Sequence, residues 1–286
     1  MECGWAMINF IAEVSSNHSR DLDRCFEFIQ RSAVAGCSAV KFQLFRIDEL
    51  FAVGSLPANE IERRRNWELP LEFLPKLSQR CREVGIQFSC TPFYLKAVDE
   101  LEPYVDFYKI ASYELLWDDL LIACAKTGKP IILSTGMASM DEIQHAVNVL
   151  RKNGCSSPTL LHCTSAYPTP YADANLAAIE AIRQTTNCDV GWSDHTVEPG
   201  VIHRAIHRWG AKIIEFHIDL DGKGEEYSAG HCWLPKQIGD VINEVRKGFI
   251  ADGSGIKEPV PSELPDRLWR ADPSDGLRPL KEVRTV

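Results

Sequence analysis

Two histidines, His195 and His217, are the strongest candidates for chemistry in this sequence. The segment 191–217 reads GWSDHT, then a helical pattern, then AKIIEFH, so each histidine stands where a short apolar run stops. A helical crossover joins parallel strands, and the carboxyl ends of parallel strands meet at one edge of a sheet. We therefore expect the two imidazoles to share one divalent metal, although a pair of hydrogen-bonded core histidines is the alternative.

Two imidazoles without a nearby thiolate predict an open metal site. Such a site is completed by water and substrate oxygen, and it suits a catalytic Lewis acid better than structural zinc. Manganese is the first choice, with magnesium and cobalt as alternatives. His18 and His162 also follow apolar runs, and we expect them to orient other groups.

Two lysines lie inside apolar runs, Lys41 in Val40-Lys41-Phe42 and Lys109 in Tyr108-Lys109-Ile110. An unpaired charge in such a position costs several kcal/mol to bury. The pair favours an anion site, with a structural ion pair as the alternative. Glu13, at the end of the first run, either neutralises Lys41 or handles a proton or a water molecule.

Hydroxyl groups end several of the other runs. A serine at a strand end either caps the following helix or binds a phosphate, and the two roles are compatible. The serines in question are Ser112, Ser134 and Ser193.

The elements that position these groups alternate between apolar strands and amphipathic helices. This order specifies a parallel sheet covered by helices, and eight such pairs predict an α/β fold of the (β/α)8 (TIM) barrel type. Glycines at the ends of five helices agree with the pattern, since a left-handed residue commonly ends a helix. The predicted strands cover residues 8–14, 39–44, 87–91, 107–110, 131–134, 159–163, 189–193 and 213–217. The predicted helices cover residues 22–35, 71–84, 95–101, 115–127, 140–153, 176–185, 201–209 and 235–250.

Two insertions, 46–69 and 218–234, follow predicted strands and are expected to overhang the active face. After residue 250 the chain is rich in Pro, Gly and Asp. We therefore predict a barrel domain over residues 1–250 and a short irregular tail over residues 251–286. The tail is expected to pack on the barrel or to be partly disordered.

Composition narrows the classes of partner. A length of 286 residues suits one barrel, and a net charge of -9 argues against nucleic acid and anionic membranes as partners. No signal peptide and no apolar run long enough for a membrane helix are visible, so a cytoplasmic location is expected. The ten cysteines are not spaced as metal ligands usually are. We expect them to be reduced and to pack as small apolar side chains rather than to form disulfides.

The motifs of the chain resemble the N-acetylneuraminate (sialic acid) synthase family over about residues 8–270. They occur in family order and spacing as IAEVSSNHSRDLD, AVKFQLF, FSCTPF, YKIAS, KPIILSTGMAS, LLHCTSAYPTPY, GWSDHT and IEFHIDLD. The resemblance implies condensation of phosphoenolpyruvate with an amino sugar such as N-acetylmannosamine, giving a 2-keto sugar acid and phosphate. It also implies a homodimer.

The resemblance assigns roles to individual residues. It implies that His195 and His217 bind the metal and that Glu13 orients or deprotonates a water molecule. Glu114 is expected to act on a sugar hydroxyl or on the aldehyde. Gln43 and Tyr167 match positions near the sugar. The residues that hold phosphoenolpyruvate would be Lys41, Thr91, Lys109, Ser112, Ser134 and Ser193.

The chain departs from the family pattern on the sugar side. Leu115-Leu116-Trp117 replaces a more polar stretch, and Ser228 stands where the family usually has an aspartate facing the sugar. Glu225, Glu226 or His231 is expected to substitute, with His231 counted among the substrate-binding residues. The C-terminal antifreeze-like domain of the family is expected to be missing. Legionaminic, pseudaminic or another 2-keto sugar acid is an alternative product. A non-catalytic paralogue that binds a phosphorylated metabolite or a partner synthase is a further alternative.

Overall fold

A closed barrel of eight parallel strands forms the body of the protein, as the sequence predicts. The computed structural model describes residues 8–284. Neighbouring strands pair in chain order, and β1 pairs with β8 to close the barrel. A ninth, two-residue strand pairs with β8 in parallel. The strands are β1 Asn9–Glu13, β2 Ala39–Leu44, β3 Gln87–Pro92, β4 Phe107–Ile110, β5 Ile131–Ser134, β6 Thr159–His162, β7 Val190–Asp194, β8 Ile213–Ile218 and β9 Cys232–Trp233.

Helices follow the strands in the described part of the chain. They are α1 Leu22–Ala35, α2 Ile47–Leu50, α3 Ala58–Arg65, α4 Leu74–Val84, α5 Leu95–Leu101, α6 Asp118–Lys126, α7 Met140–Lys152, α8 Ala178–Thr186, α9 Pro199–His207, α10 Glu225–Ser228 and α11 Pro235–Asp252. The insertion after β2 contains α2 and α3, and the insertion after β8 contains α10 and β9. None of residues 8–284 lies in a helix both long and apolar enough to cross a membrane.

Helix ends follow the signals in the sequence. Asp21 accepts hydrogen bonds from the backbone N–H groups of Asp23 and Arg24 at the start of α1. Gly36 and Gly85 end α1 and α4 with φ angles of 96° and 78°, a conformation that glycine adopts without steric cost. Two predicted helix starts are three residues too early. The helices expected from residues 71 and 115 begin at Leu74 and Asp118, because a 3₁₀ turn precedes each of them, Leu71–Phe73 and Ser112–Glu114.

The barrel interior has an apolar layer and, above it, a polar layer. Because side chains in a strand alternate between faces, a residue two positions further along points to the same side. The apolar layer comprises Ile11, Ala39, Phe107, Ile132, Leu161 and Ile213. Two positions towards the carboxyl ends stand Glu13, Lys41, Lys109, Ser134, Cys163 and Glu215. The apolar layer therefore closes the bottom of the barrel, and the polar layer opens towards the loops that follow the strands.

A second compact unit begins at Arg246, inside α11. It contains three 3₁₀ turns, Pro261–Glu263, Pro265–Trp269 and Lys281–Val283. Asp272 organises it, because its carboxylate accepts hydrogen bonds from the backbone N–H groups of Ser274 at 2.9 Å and Lys281 at 2.8 Å. The hydrogen bond from the Ser274 hydroxyl, together with these backbone bonds, holds the pKa of that carboxyl below its ordinary value.

Candidate active site

Two lysines and two glutamates form a buried ionic network in the polar layer. The register of the strands sets Glu13 opposite Lys41 and also opposite His217. The Lys41 ammonium contacts the Glu13 carboxylate and lies 4.0 Å from Glu215, whose other oxygen lies 3.6 Å from the Lys109 ammonium. All four members of the network are at most 5% exposed. Both lysines therefore form buried ion pairs, which was the alternative to an anion site. Binding of an anion by the same lysines stays a prediction.

Burial and charge act against each other in this network. Burial lowers the pKa of Lys41 to about 8, against the opposing charge of Glu215. Burial acts to raise the pKa of Glu215, but the charges of Lys109 and Lys41 outweigh it and the pKa is lowered. Glu215 is thus an ionised carboxylate that holds two lysines side by side.

Hydroxyl groups and a glycine form a cradle beside the network. The Ser112 hydroxyl accepts a hydrogen bond from the Gly136 N–H at 3.0 Å and lies 3.2 Å from the Cys163 sulfur. A Cβ on Gly136 would lie 2.3 Å from the Ser165 hydroxyl, so only glycine fits there. The buried hydroxyls of Ser134 and Ser165 have no hydrogen-bond partner. Donors gathered in this way can receive an anion.

The capping alternative for the three serines is wrong. The residue that precedes α6 is Trp117, the one that precedes α7 is Ser139, and the one that precedes α9 is Glu198. Ser193 instead donates a hydrogen bond to Glu215 at 3.2 Å, and Thr91 accepts one from Lys41 at 3.2 Å. Both hydroxyls therefore join the ionic network.

His195 and His217 lie side by side at the carboxyl ends of their strands. Their ring centroids are 5.4 Å apart, and the Tyr167 ring lies 4.3 Å from His195 and 5.9 Å from His217. His195 donates from Nδ1 to the Thr164 carbonyl at 2.9 Å, since a carbonyl can only accept. Burial and the neighbouring His217 lower the pKa of His195 to about 3. His195 is therefore a neutral imidazole whose Nε2 carries the lone pair.

Asp194 fixes the turn that carries His195. Its carboxylate accepts hydrogen bonds from the indole N–H groups of Trp192 at 3.1 Å and Trp233 at 2.9 Å. It also accepts one from the Thr196 hydroxyl at 2.7 Å. Through these hydrogen bonds the fully buried Asp194 connects β7 to β9, the strand that ends the β8–β9 loop.

Glu226 of α10 is the hydrogen-bond partner of His217. The distance from His217 Nδ1 to Glu226 Oε2 is 2.7 Å. Its other oxygen accepts a hydrogen bond from the Ser16 hydroxyl at 3.0 Å. Burial acts to raise the pKa of Glu226, but the charge of His217 and the hydrogen bonds hold it well below the ordinary value. Glu226, His231 and Cys232 present ligand atoms within 4.8 Å of one another and of one on His217. The sequence suggested Glu226 and His231 only as sugar contacts.

Glu114 and Gln43 lie elsewhere in the site. Glu114 is 8% exposed, its Oε2 has no hydrogen-bond partner, and burial raises its pKa to about 7 against the charge of Lys109. Gln43 donates to Glu13 Oε1 at 2.9 Å, and the same oxygen accepts the Ser15 N–H at 2.9 Å. The Glu13 carboxylate is therefore held by three neighbours, the third being Lys41.

A cavity of about 390 Å³ adjoins Glu226, His231 and Gln43. Its opposite wall consists of aromatic side chains from the insertion after β2 and from the β3 end, namely Phe45, Phe51, Trp67 and Phe93. Arg64 lies over the rings of Phe51 and Trp67, with its guanidinium carbon 5.2 Å from each ring centroid. The cavity is polar towards the barrel and apolar towards the insertion.

His18 and His162 have structural contacts. His18 accepts a hydrogen bond at Nδ1 from the Arg20 N–H at 3.0 Å, and burial lowers its pKa to about 4. His162 donates from Nε2 to the Ala174 carbonyl at 3.0 Å, and its ring centroid lies 5.3 Å from that of Trp192. These contacts hold loops in place.

Comparison with known proteins supplies the family. A model of the NeuB family matches residues 28–257. An uncharacterized protein of Methanocaldococcus jannaschii is 39% identical over 255 residues, which are 88% of this chain and 74% of that protein. N,N'-diacetyllegionaminic acid synthase of Campylobacter jejuni is 35% identical over 270 residues, 88% of this chain and 80% of that protein.

The fold comparison agrees. The crystal structure of N-acetylneuraminic acid (sialic acid) synthetase from Leptospira borgpetersenii in complex with citrate superposes with a TM-score of 0.80 and 31% identity. The match covers 91% of this chain and 90% of that one. The family expected from the motifs is thus confirmed, and the chain belongs to the NeuB family.

Proposed function

We propose that this protein condenses phosphoenolpyruvate with the open-chain form of an amino sugar, giving a 2-keto sugar acid and phosphate. The observation that carries the proposal is the set of unpartnered buried hydroxyls, Ser134 and Ser165, at the same end of the barrel as Lys41 and Lys109. Hydroxyl donors and lysines at the carboxyl ends of barrel strands are what a phosphorylated carboxylate needs.

Different residues are proposed to bind different parts of phosphoenolpyruvate. Lys41 and Lys109 would face its negative charges, and the carboxylate of Glu215 would hold the two ammonium groups side by side. Ser112, Ser134 and Ser193 would donate to phosphate or carboxylate oxygens, with Thr91 placed by Lys41.

The reaction forms one carbon–carbon bond. The methylene carbon of phosphoenolpyruvate attacks the aldehyde carbon, whose oxygen becomes a hydroxyl by taking a proton. Water adds to the phosphate-bearing carbon and gives up one proton, which leaves a hydroxyl on that carbon. The bond from the carbon to the bridging oxygen then breaks, the hydroxyl proton goes to the departing phosphate, and the carbon becomes a ketone. Glu114, with a pKa near 7, can supply the proton to the aldehyde oxygen. Glu13 is proposed to orient the water, since its carboxylate is already fixed by Lys41, Gln43 and the Ser15 N–H.

The histidine pair fits a divalent cation. The Nε2 lone pair of His195 is free, because its Nδ1 is bonded to the Thr164 carbonyl. When bound, the cation would polarise the aldehyde of the acceptor. His195 and His217 are the proposed ligands, with manganese, magnesium or cobalt as the ion. Tyr167, next to both rings, is proposed to contact the sugar.

The cavity beside His231 and Gln43 is proposed to hold the acceptor. Its aromatic wall favours an acceptor whose far end is apolar, so a deoxy, doubly acylated amino sugar is a second candidate beside N-acetylmannosamine. The product would then be of the legionaminic or pseudaminic type. We also propose a cytoplasmic location and a homodimer.

A coupled assay tests the proposal. The protein is incubated with phosphoenolpyruvate, a divalent cation and each of a panel of amino sugars, and phosphate release and 2-keto acid formation are measured together. We expect both products with at least one acylated amino sugar, and loss of both in His195→Ala but not in His145→Ala, which changes an exposed histidine.

Calorimetry separates the catalytic from the non-catalytic proposal. Binding of phosphoenolpyruvate without phosphate release for any sugar would favour a paralogue that only binds a phosphorylated metabolite. Absence of both binding and turnover would refute the anion site itself.

A further inference from the structure

The loop between β8 and β9 brings three metal-ligating side chains to His217. Glu226 lies on α10, His231 precedes β9 and Cys232 begins it. Each residue offers one ligand atom, and the four atoms lie within 4.8 Å of one another. His195 is outside this group, so the group differs from the histidine pair proposed above.

The arrangement is fixed by the backbone. Because β9 pairs with β8 in parallel, Cys232 stands opposite His217. Asn17 donates to the Ile218 carbonyl at 3.0 Å and lies 3.7 Å from the Cys232 sulfur. Asp194 holds the Trp233 indole. The donors are therefore preorganised by the loop that follows β1 and by β7 and β8 together.

One of the donors, His231, lacks a good hydrogen bond in this buried position. His231 is 6% exposed, and its Nδ1 has no partner. Its Nε2 reaches Glu226 Oε2 only at 3.5 Å, and the Cys232 sulfur lies 3.7 Å from the same oxygen. An ion between these residues would replace the long Nε2 and Sγ contacts to Glu226 with coordination bonds. The Nδ1 atom is the other ring nitrogen and would not bind that ion.

The spacing is that of a coordination shell. Donors bound to a tetrahedral ion at about 2.0–2.3 Å are roughly 3.3–3.8 Å apart, which matches the separations of His231 and Cys232 from Glu226. His217 and Glu226 are 2.7 Å apart and would open by roughly 0.5 Å when an ion replaces their shared proton. A carboxylate and a thiolate neutralise a divalent cation, so no net charge is buried.

We infer that Glu226, His231 and Cys232, with His217, hold a divalent cation of the zinc class, zinc(II) or cobalt(II), in preference to manganese or magnesium. Imidazole and thiolate donors select these ions, whereas magnesium and manganese prefer oxygen. The inference rests on the proposed function only through His217, which both sites share.

Cobalt(II) titration of the metal-stripped full chain tests the inference. The wild type is expected to show the visible bands of a four-coordinate ion and a thiolate-to-cobalt charge-transfer band in the near ultraviolet. Cys232→Ser should abolish the charge-transfer band, and His231→Ala should weaken cobalt binding roughly 10- to 100-fold or more. Cys155→Ser is the matched control. It changes a half-buried free cysteine that is not part of the four-residue group, and it should leave the band unchanged.

Competition on the unaltered protein covers the case in which a variant fails to fold. Zinc should displace manganese at equal concentration. Tighter manganese than zinc binding, or bound cobalt without a charge-transfer band, would overturn the inference. Cobalt binding that is lost in His195→Ala but unaffected in His231→Ala and Cys232→Ser would place the ion on the histidine pair alone, which leaves the proposed function intact. Absence of binding by any of these ions would refute both metal proposals.

Discussion

Glu114 should make the stability of this protein depend on pH in a defined direction. Burial raises its pKa from 4.5 to about 7 in the folded state, partly offset by Lys109. Between these two values the folded protein holds a proton that the unfolded chain has lost. The stabilising contribution is therefore complete below about pH 4.5 and is lost as the pH rises through 7. At about 1.4 kcal/mol per pH unit, the full interval corresponds to about 3 kcal/mol.

Glu114→Gln removes the titrating group and keeps the shape of the side chain. The free energy of unfolding is measured by urea denaturation at pH 5 and pH 8 for the wild type and the variant. Relative to the wild type, we expect the variant to gain about 2–3 kcal/mol between pH 5 and pH 8, because only the wild type must ionise a buried carboxyl. Glu102→Gln changes an exposed glutamate and serves as the control, with no pH-dependent difference expected.

A constant difference between Glu114→Gln and the wild type from pH 5 to pH 8 would refute this reasoning. It would mean that the Glu114 carboxyl ionises alike in the folded and unfolded chain. Glu114 could then not hold a proton near neutrality, and its proposed role as the acid for the aldehyde oxygen would lose its basis.

Three further substitutions test the substrate sites. Gly136→Ala should weaken phosphoenolpyruvate binding about 10-fold or more in calorimetry, since the new Cβ displaces the cradle hydroxyls, while Gly200→Ala, with open space around it, should not. Lys109→Met should raise the Michaelis constant for phosphoenolpyruvate roughly 10- to 100-fold, and an unchanged constant would contradict the anion site. Trp67→Ala should raise the Michaelis constant for the amino sugar about 10-fold and leave the Michaelis constant for phosphoenolpyruvate unchanged. Trp269→Ala, outside the cavity lining, should change neither Michaelis constant. An equal rise of both constants in Trp67→Ala would refute the acceptor cavity.

The barrel was predictable because each strand carries its own signal. Short apolar runs followed by helical periodicity identify every repeat without reference to its neighbours, and a glycine ends five of the eight predicted helices. The lysines were visible for the same reason, since a charge inside Val40-Lys41-Phe42 is conspicuous on its own.

Glu215 shows what a single strand does not reveal. In the run IIEFH it occupies a middle position, and alternation alone does not say which face is the barrel interior. Only the closed sheet, with Ile213 in the apolar layer and β1 paired to β8, turns Glu215 inwards between the lysines. Counting two positions from each apolar-layer residue would have found it.

The β8–β9 loop was the least predictable part of the site. A two-residue strand and a four-residue helix leave no periodic pattern, so the meeting of Glu226 with His217 depends on the path of the chain. That path is set by long-range contacts such as the pairing of Cys232 with His217.

The shared carboxylate of Asp194 gives the protein an internal optical reporter. Trp233 lies in β9, two residues after His231, and Trp192 lies in β7. Both indoles donate hydrogen bonds to the buried carboxylate of Asp194, next to His195. Any undocking of the loop breaks the Trp233 bond and exposes that ring to water, which shifts its emission to longer wavelength. Comparing the wild type with Trp233→Phe would therefore time loop movement during turnover without an added label.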